Sequence, residues 1–345
     1  SDNMSIETFD DAIASLTEED AANRALLIEK TAIDTDRRIR KVRKASASFS
    51  SKDVLILNSK GVDKRCSSTA CTGQITLVAE DGKDSQMGWD FTGSRFLRDI
   101  DFGEVGRNAA MRALQLLGAK KIQARKAHVI LDNSVAVEFL GIFATLLSSE
   151  YVQKGKSLLA GKLNREVVSP VISILDDGTI PHKLGSRPFD DEGVTTSRKY
   201  LIKDGTLINY MYNVYTARKD GVKSTGNAVK GGFSSLPAVG PTNLYIEASP
   251  EHVRSGRLYS LVDSGIYVTE AMGVHTANPV SGEFSIGISG LWIEKGDIKF
   301  PVKEAIISGN ILNFFSMVEA VGDDPRFYGN MASPSLLVSP VDISA

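Results

Sequence analysis

Residues 135–147 constrain the fold more than any other stretch. Val135, Val137, Phe139, Leu140, Phe143 and Leu146 surround a single charged side chain, Glu138. A helix that is apolar on nearly every side has to be buried, and Asn133 or Ser134 can cap its start. The run is too short to span a bilayer, so other parts of this chain must cover it. Short apolar runs follow at 171–175, 199–202, 207–212, 244–247, 266–270, 282–288, 291–293 and 304–308. Lys203-Asp204-Gly205-Thr206 joins two of them, and Asp-Gly between apolar runs is the strongest local hairpin signal. Strand faces of this kind must bury against something, and this helix is the one uniformly apolar partner. The expected class is α+β: an N-terminal α+β domain, and a β-rich, largely antiparallel C-terminal domain around one buried helix.

The N-terminal part reads as a helix near residues 5–10 and a second one from Thr17 towards Arg40, with Thr17 and Asp20 at capping-box spacing. Strands are expected at 45–51, 54–57 and 67–79. A helix is expected over 105–117, where Ala110, Ala113, Leu114 and Leu117 form a stripe and Gly118 suits the stop. The charged segment 120–126 reads as a linker, which divides the chain into domains 1–122 and 123–345. A helix is also expected near 252–262.

Composition narrows the function classes. With 345 residues the chain is long enough for two cores, and a formal net charge of −2 offers no basic footprint for phosphate neutralisation. A nucleic-acid partner is therefore not expected, and neither is a membrane. Two cysteines, Cys66 and Cys71, cannot build a disulfide framework and read as small packed strand residues. With no signal peptide expected before the first helix, the expected location is the cytoplasm.

Candidate chemistry is sparse. The histidines, His128, His182, His252 and His275, include no pair three or four residues apart, so each reads as a satisfied or solvated side chain. Gly155-Lys156-Ser157 resembles the end of a phosphate-binding loop without its upstream glycine. Asp190, Asp191 and Glu192 could serve as paired carboxylates, but a solvated acidic loop turning at Gly193 is the plainer reading. Asp176-Asp177-Gly178 reads as a turn.

An ordered series of motifs nevertheless carries a resemblance. Asp176-Asp177-Gly178-Thr179 is followed by Pro188-Phe189-Asp190-Asp191-Glu192-Gly193, the Asp204-Gly205 hairpin and Lys223-Ser224-Thr225-Gly226-Asn227. Further on come Gly290-Leu291-Trp292-Ile293-Glu294 and Ile307-Ser308-Gly309-Asn310. From about residue 50 to the last residue this resembles the TldD/PmbA family, called modulators of DNA gyrase and classed as metallopeptidases. The resemblance implies a further α/β portion ahead of this sequence, so the N-terminal domain is expected to be incomplete here.

In the catalytic branch of that family the buried helix carries H-E-x-x-x-H, and a cysteine near the C-terminus completes a zinc site. Matching from Asp176 places the motif on Leu140-Gly141-Ile142-Phe143-Ala144-Thr145, and Met331 falls where the cysteine belongs. The resemblance thus implies the PmbA (TldE) branch: a chain without catalytic residues or metal ligands, pairing with a TldD-like catalytic subunit or with itself. Zinc is expected only in the TldD-like partner, and the substrate is an extended peptide held as an added strand. The peptide groove is expected along Asp190, Asp191, Glu192 and Gly193, and along Ser224, Thr225, Gly226 and Asn227. Two alternatives stay open at this point. One is an active zinc metallopeptidase that gathers His182 or His275 with Asp190 or Glu192, and the other is a stand-alone homodimeric peptide-binding protein.

Overall fold

The computed structural model describes residues 6–344 apart from 233 and 249–252, and the backbone but not the side chain of 275. The N-terminal part opens with α1 (Asp11–Ala14) and α2 (Glu18–Thr35), followed by an antiparallel meander of β1 (Ile39–Leu57), β2 (Asp63–Asp81) and β3 (Asp84–Ser94), then α3 (Phe102–Leu114). The capping box at Thr17 and Asp20 is formed. The helix it starts ends at Thr35, short of the expected Arg40, because the chain enters β1 at Ile39. Runs expected as two strands, 45–51 and 54–57, are one: Lys52 and Asp53 stay in register with Ser68 and Ser67.

Alternation gives this sheet two distinct faces. Phe49, Cys71, Ile75 and Leu77 sit on the face packed against α2 and α3. Ser50, Lys52 and Val54 belong to the other face, opposite Ala70, Ser68 and Cys66. Close packing of the helices depends on small residues. A Cβ on Gly106 of α3 would stand 2.2 Å from the Ile28 carbonyl oxygen of α2, and one on Gly88 of β3 would stand 2.1 Å from the Ala109 oxygen.

The C-terminal part begins with β4 (Arg125–Leu131), α4 (Asn133–Leu146) and α5 (Ser149–Gln153). Then come β5 (Ser173–Asp177), β6 (Arg198–Lys203), β7 (Thr206–Leu207), α6 (Val214–Asp220), β8 (Ala228–Val229), β9 (Ala238–Val239) and β10 (Leu244–Glu247). The chain ends with β11 (Ser264–Met272), β12 (Glu283–Glu294), β13 (Asp297–Asn310), α7 (Ile311–Ser316), β14 (Val318–Val321), β15 (Arg326–Tyr328), β16 (Met331–Ser333) and β17 (Leu336–Ser344). One six-stranded sheet runs β13-β12-β11-β4-β17-β14, and because β13 also pairs with β17 its first five strands close on themselves. A second sheet runs β15-β16-β10-β5-β6-β7. Pairing is antiparallel except at β4–β11 and β10–β16.

The buried helix is α4, and both sheets contribute to the core around it. Phe139 lies 5.4 Å from Phe284 and 5.3 Å from Phe314, and Phe143 lies 4.5 Å from Phe315. Burying each such ring is worth roughly 1.5–3 kcal/mol. The class is α+β with a β-rich C-terminal part, as its apolar pattern requires. Several details differ. Asp132, not Asn133 or Ser134, caps α4, its carboxylate accepting from the Ser134 N–H. The run 207–212 is strand only at Leu207, while Tyr210, Met211 and Tyr212 are buried in an irregular segment. In place of a helix over 252–262 there is a 3₁₀ helix, Ser255–Leu261. Asp176 and Asp177 are buried strand residues of β5, not a turn. Among the described residues no helix is long and apolar enough to cross a membrane.

Candidate functional site

Two places could carry function: the exposed stripe of α4, and the loops that follow β5. Like Asn133 and Ala144, the residues Glu138, Gly141, Ile142 and Thr145 are half-buried in a helix whose other residues are buried, and these four fall on one side of α4. Their spacing of three and four residues explains the shared face. The β15–β16 hairpin lies across this helix, and Met331 Cε is 3.9 Å from a Cβ built on Gly141. Leu140 points into the core with no exposed surface. Of the positions matched to the zinc motif, Gly141 faces Met331 across a short gap, and together the matched positions and Met331 offer one hydroxyl, from Thr145, and one thioether. Zinc is held by imidazole, thiolate and carboxylate, with thioethers suited to softer ions. The donor set does not fit zinc.

A charged cluster lies beside the stripe. Arg112 of α3 donates to Asp132 Oδ1 at 2.9 Å, to Ser134 Oγ at 3.0 Å and to Tyr328 Oη at 3.3 Å. Burial pushes Glu138 up to about 7. Burial likewise raises Glu270 of β11 to about 7, with the Arg112 charge pulling it down and the Glu138 charge pushing it further up. Glu270 Oε1 is buried without a hydrogen-bond partner. A carboxyl whose folded pKa lies above its unfolded value stabilises fully below the unfolded value of 4.5, and that contribution is lost as pH rises through about 7. Glu138→Gln is therefore expected to lose less stability than wild type between pH 5.5 and pH 8. Since Glu138 is partly exposed, the difference is screened to roughly 1 kcal/mol. Urea unfolding at the two pH values reads it directly, and equal losses would mean that Glu138 is not held in its neutral form.

The acidic loop is only partly solvated: Asp191, Glu192 and Gly193 are half-buried. Asp190 is fully buried, accepting from the backbone N–H groups of Glu192, Val194 and Ala228 at 2.9 Å each. Burial raises its carboxyl above the ordinary value despite these three bonds. Glu192 accepts from the Val214 N–H at the start of α6, and Asp191 accepts from the Lys230 N–H and pairs with Arg187 at 3.6 Å. Gly193 and Gly226 take left-handed φ values of 82° and 73°. Ser224 Oγ and Thr225 Oγ1 both donate to the Tyr212 carbonyl, and Asn227 is fully buried. The two loops meet where the Ala228 N–H, next to Asn227, reaches Asp190. Most of their polar atoms already hold backbone.

Asp176 was not suspected from sequence. Its carboxylate takes Lys199 Nζ at 2.7 Å, Asn227 Nδ2 at 2.8 Å and the Thr242 N–H at 2.6 Å. His182, in a left-handed backbone conformation, sets Nδ1 2.8 Å from Asp99 and Nε2 3.2 Å from Glu7. It faces the N-terminal part, while Asp190 is occupied by backbone elsewhere. His128 lies 3.7 Å from Glu319, and His252 and the His275 side chain lie outside the described residues. Among the described residues no three His, Cys, Asp or Glu side chains gather in a way that could hold a metal ion.

Most of the chain matches known protein families. Residues 124–345 match the model of the PmbA/TldA metallopeptidase C-terminal domain, and residues 11–117 match that of the PmbA/TldA metallopeptidase central domain. The chain is 31% identical over 329 residues to a metalloprotease PmbA homolog of Buchnera aphidicola, covering 94% of this chain and 70% of the relative. It is 29% identical over 332 residues to metalloprotease PmbA of Escherichia coli O157:H7, covering 96% of this chain and 71% of the relative. A Thermotoga maritima crystal structure described as a modulator of a DNA gyrase superposes with a TM-score of 0.93 at 31% identity, over 100% of this chain and 78% of that one. TldE from Thermococcus kodakarensis shares the fold, with a TM-score of 0.87 at 21% identity over 100% of this chain and 78% of that one. With both domain models matched over nearly all of its length, this chain belongs to the TldD/PmbA metallopeptidase family.

Proposed function

We propose that this chain is a PmbA/TldE-like, non-catalytic subunit of a TldD/PmbA-type peptidase assembly in the cytoplasm. It holds extended peptide while a TldD-like partner carries zinc and performs the hydrolysis. The observation that supports the reading most directly is Gly141, in the motif stretch, opposite Met331. The motif position and the cysteine position meet in space, yet neither supplies a zinc ligand of ordinary strength. The loops at Asp190–Gly193 and Ser224–Asn227 would shape the peptide groove, with Asp190 and Asn227 holding its walls from behind and Asp191 nearer its surface. A strand edge or loop backbone in such a groove binds extended peptide whatever its sequence.

The test is zinc content and cleavage of an unstructured peptide, measured for the chain alone and mixed with a TldD-like protein from the same source. The expected result is no stoichiometric zinc and no cleavage alone, cleavage in the mixture, and no change in the mixture's rate with Thr145→Val. Stoichiometric zinc and cleavage by the chain alone would overturn the proposal.

A further inference from the structure

Between the second face of the β1–β2 hairpin and the loops of the C-terminal part lies a cleft of about 460 Å³. That volume is typical of small-ligand sites. Its floor is three cross-strand pairs: Ser50 with Ala70, Lys52 with Ser68, and Val54 with Cys66. Leu184, Phe189 and Val229 give it an apolar wall, and Arg95, Arg187 and Thr242 give it polar ones.

Charge in this cleft is unbalanced. Lys52, Arg95 and Arg187 line it, and Asp191, already paired with Arg187, is its one carboxylate among the described lining residues. Arg95 donates Nε to the Lys183 carbonyl at 3.1 Å, Nη1 to Thr69 at 3.1 Å and Nη2 to Leu184 at 2.7 Å. A guanidinium has five N–H donors, so some remain, and all three of its partners are neutral. Burial, with Arg187 nearby, lowers the Arg95 pKa. A desolvated cation without a countercharge is costly. A second, independent feature is Thr242: it is 1% exposed, lines the cleft, and its hydroxyl has no hydrogen-bond partner.

We propose that this cleft is a carboxylate-binding site, in which Arg95 and Arg187 face the anion, Thr242 donates to it, and the apolar wall takes the residue that bears it. The chemistry fits two sources, the C-terminal carboxylate of an extended peptide and a small free organic acid. The peptide form rests on the peptide-binding reading above, whereas the anion site does not.

Cys66 provides the readout. It lines the cleft and is half-buried, while Cys71 has no exposed surface, so thiol labelling of the folded chain reports on the cleft. The negatively charged reagent dithiobis(nitrobenzoate) is expected to label Cys66 faster than neutral dithiodipyridine does, relative to a free thiol. A hexapeptide with a free C-terminus should slow labelling, and its C-terminal amide should need about tenfold higher concentration, the size expected from losing one charge-assisted pair. Arg187→Gln should weaken protection about tenfold. Lys52→Glu, at an exposed strand position that leaves folding untouched, should abolish the preference for the anionic reagent. Equal protection by acid and amide, or no change in either variant, would overturn the site. Protection by succinate but not by the peptide would support the anion site and overturn its peptide occupant. None of these outcomes depends on whether a mixture with a TldD-like chain hydrolyses peptide.

Discussion

Asp176→Ala is expected to lower the unfolding free energy by about 3–5 kcal/mol, the usual consequence of leaving a buried charge without its partner. The Asp176 side chain has no exposed surface, and that of Lys199, its cross-strand neighbour, is 10% exposed. Removing the carboxylate strands the Lys199 ammonium in the interior and leaves the Thr242 N–H and the Asn227 amide each short of an acceptor. The damage spreads beyond one strand pair. Asp176 ties β5 to β6, to the loop that ends at Asn227 and to the segment entering β10, so it also fixes Thr242 at the cleft. Asp176→Asn keeps the shape and one acceptor oxygen and should cost less. Replacing the pair together, with Asp176→Leu and Lys199→Met, should cost less than Asp176→Ala alone, because no charge is then left unpaired. Denaturant unfolding of the three variants decides this. A loss below about 1 kcal/mol for Asp176→Ala, the level of an ordinary surface pair, would show that the network carries little.

Asp176 also marks where sequence reasoning stops. Asp-Asp-Gly has the local chemistry of a turn, and the partners that make it a buried strand end lie 23, 51 and 66 residues further along the chain. By contrast α4 was legible, since a run with one charge among apolar residues has a single stable place, and the capping box at Thr17 is local by construction. The β1–β2 hairpin was half legible. Its interruption at Lys52 and Asp53 looks like a break because polar residues sit in both faces there, yet one face opens on the cleft and needs no apolar side chain. β3 went unread because Gly88 and Gly93 weaken a strand pattern, and Gly88 is required by the approach of α3, which is a tertiary demand. The short strands β14–β16 are three or four residues each and leave little local periodicity; β14 pairs with β17 and β16 with the distant β10, while β15 pairs with β16 in a tight hairpin.

The same distinction applies to the sites. Loss of the zinc motif could be read directly, because it depends on residue types at fixed spacing within one helix. The cationic cleft could not, since Lys52, Arg95, Arg187 and Thr242 belong to segments brought together only when the two parts of the chain pack. The acidic loop was visible, but its role was not. Three carboxylates in a row suggest solvent or catalysis, and only the positions of the Val194, Ala228 and Val214 N–H groups reveal a backbone anchor.

Arg112→Met is expected to cost about 3–5 kcal/mol at pH 7, with a deficit that shrinks as pH falls. Arg112 projects from α3 into the C-terminal part, lying 5.6 Å from the Trp89 ring centre and holding Asp132, the cap of α4. In wild type, burial pushes the Asp132 carboxyl up, but the Arg112 charge and the bonds from Ser134 and Tyr267 outweigh it and hold the pKa below its ordinary value. A lowered folded pKa contributes stability that is present above the unfolded value and lost as pH falls through the folded one. Without Arg112, burial becomes the dominant influence and the sign reverses: the folded pKa rises, and the ionised carboxylate destabilises as pH climbs through it. Glu270 moves the same way, since Arg112 is the charge that pulls it down. The Asp132 effect grows as pH climbs from the acid end, whereas Glu270, held neutral in both proteins up to about 7, adds to the gap only above that, so the gap should be small at the acid end and widen through neutrality. Unfolding measured across that range tests the assignment. A deficit independent of pH would mean that Arg112 acts through packing on Trp89 and Tyr328 rather than through the charge on Asp132.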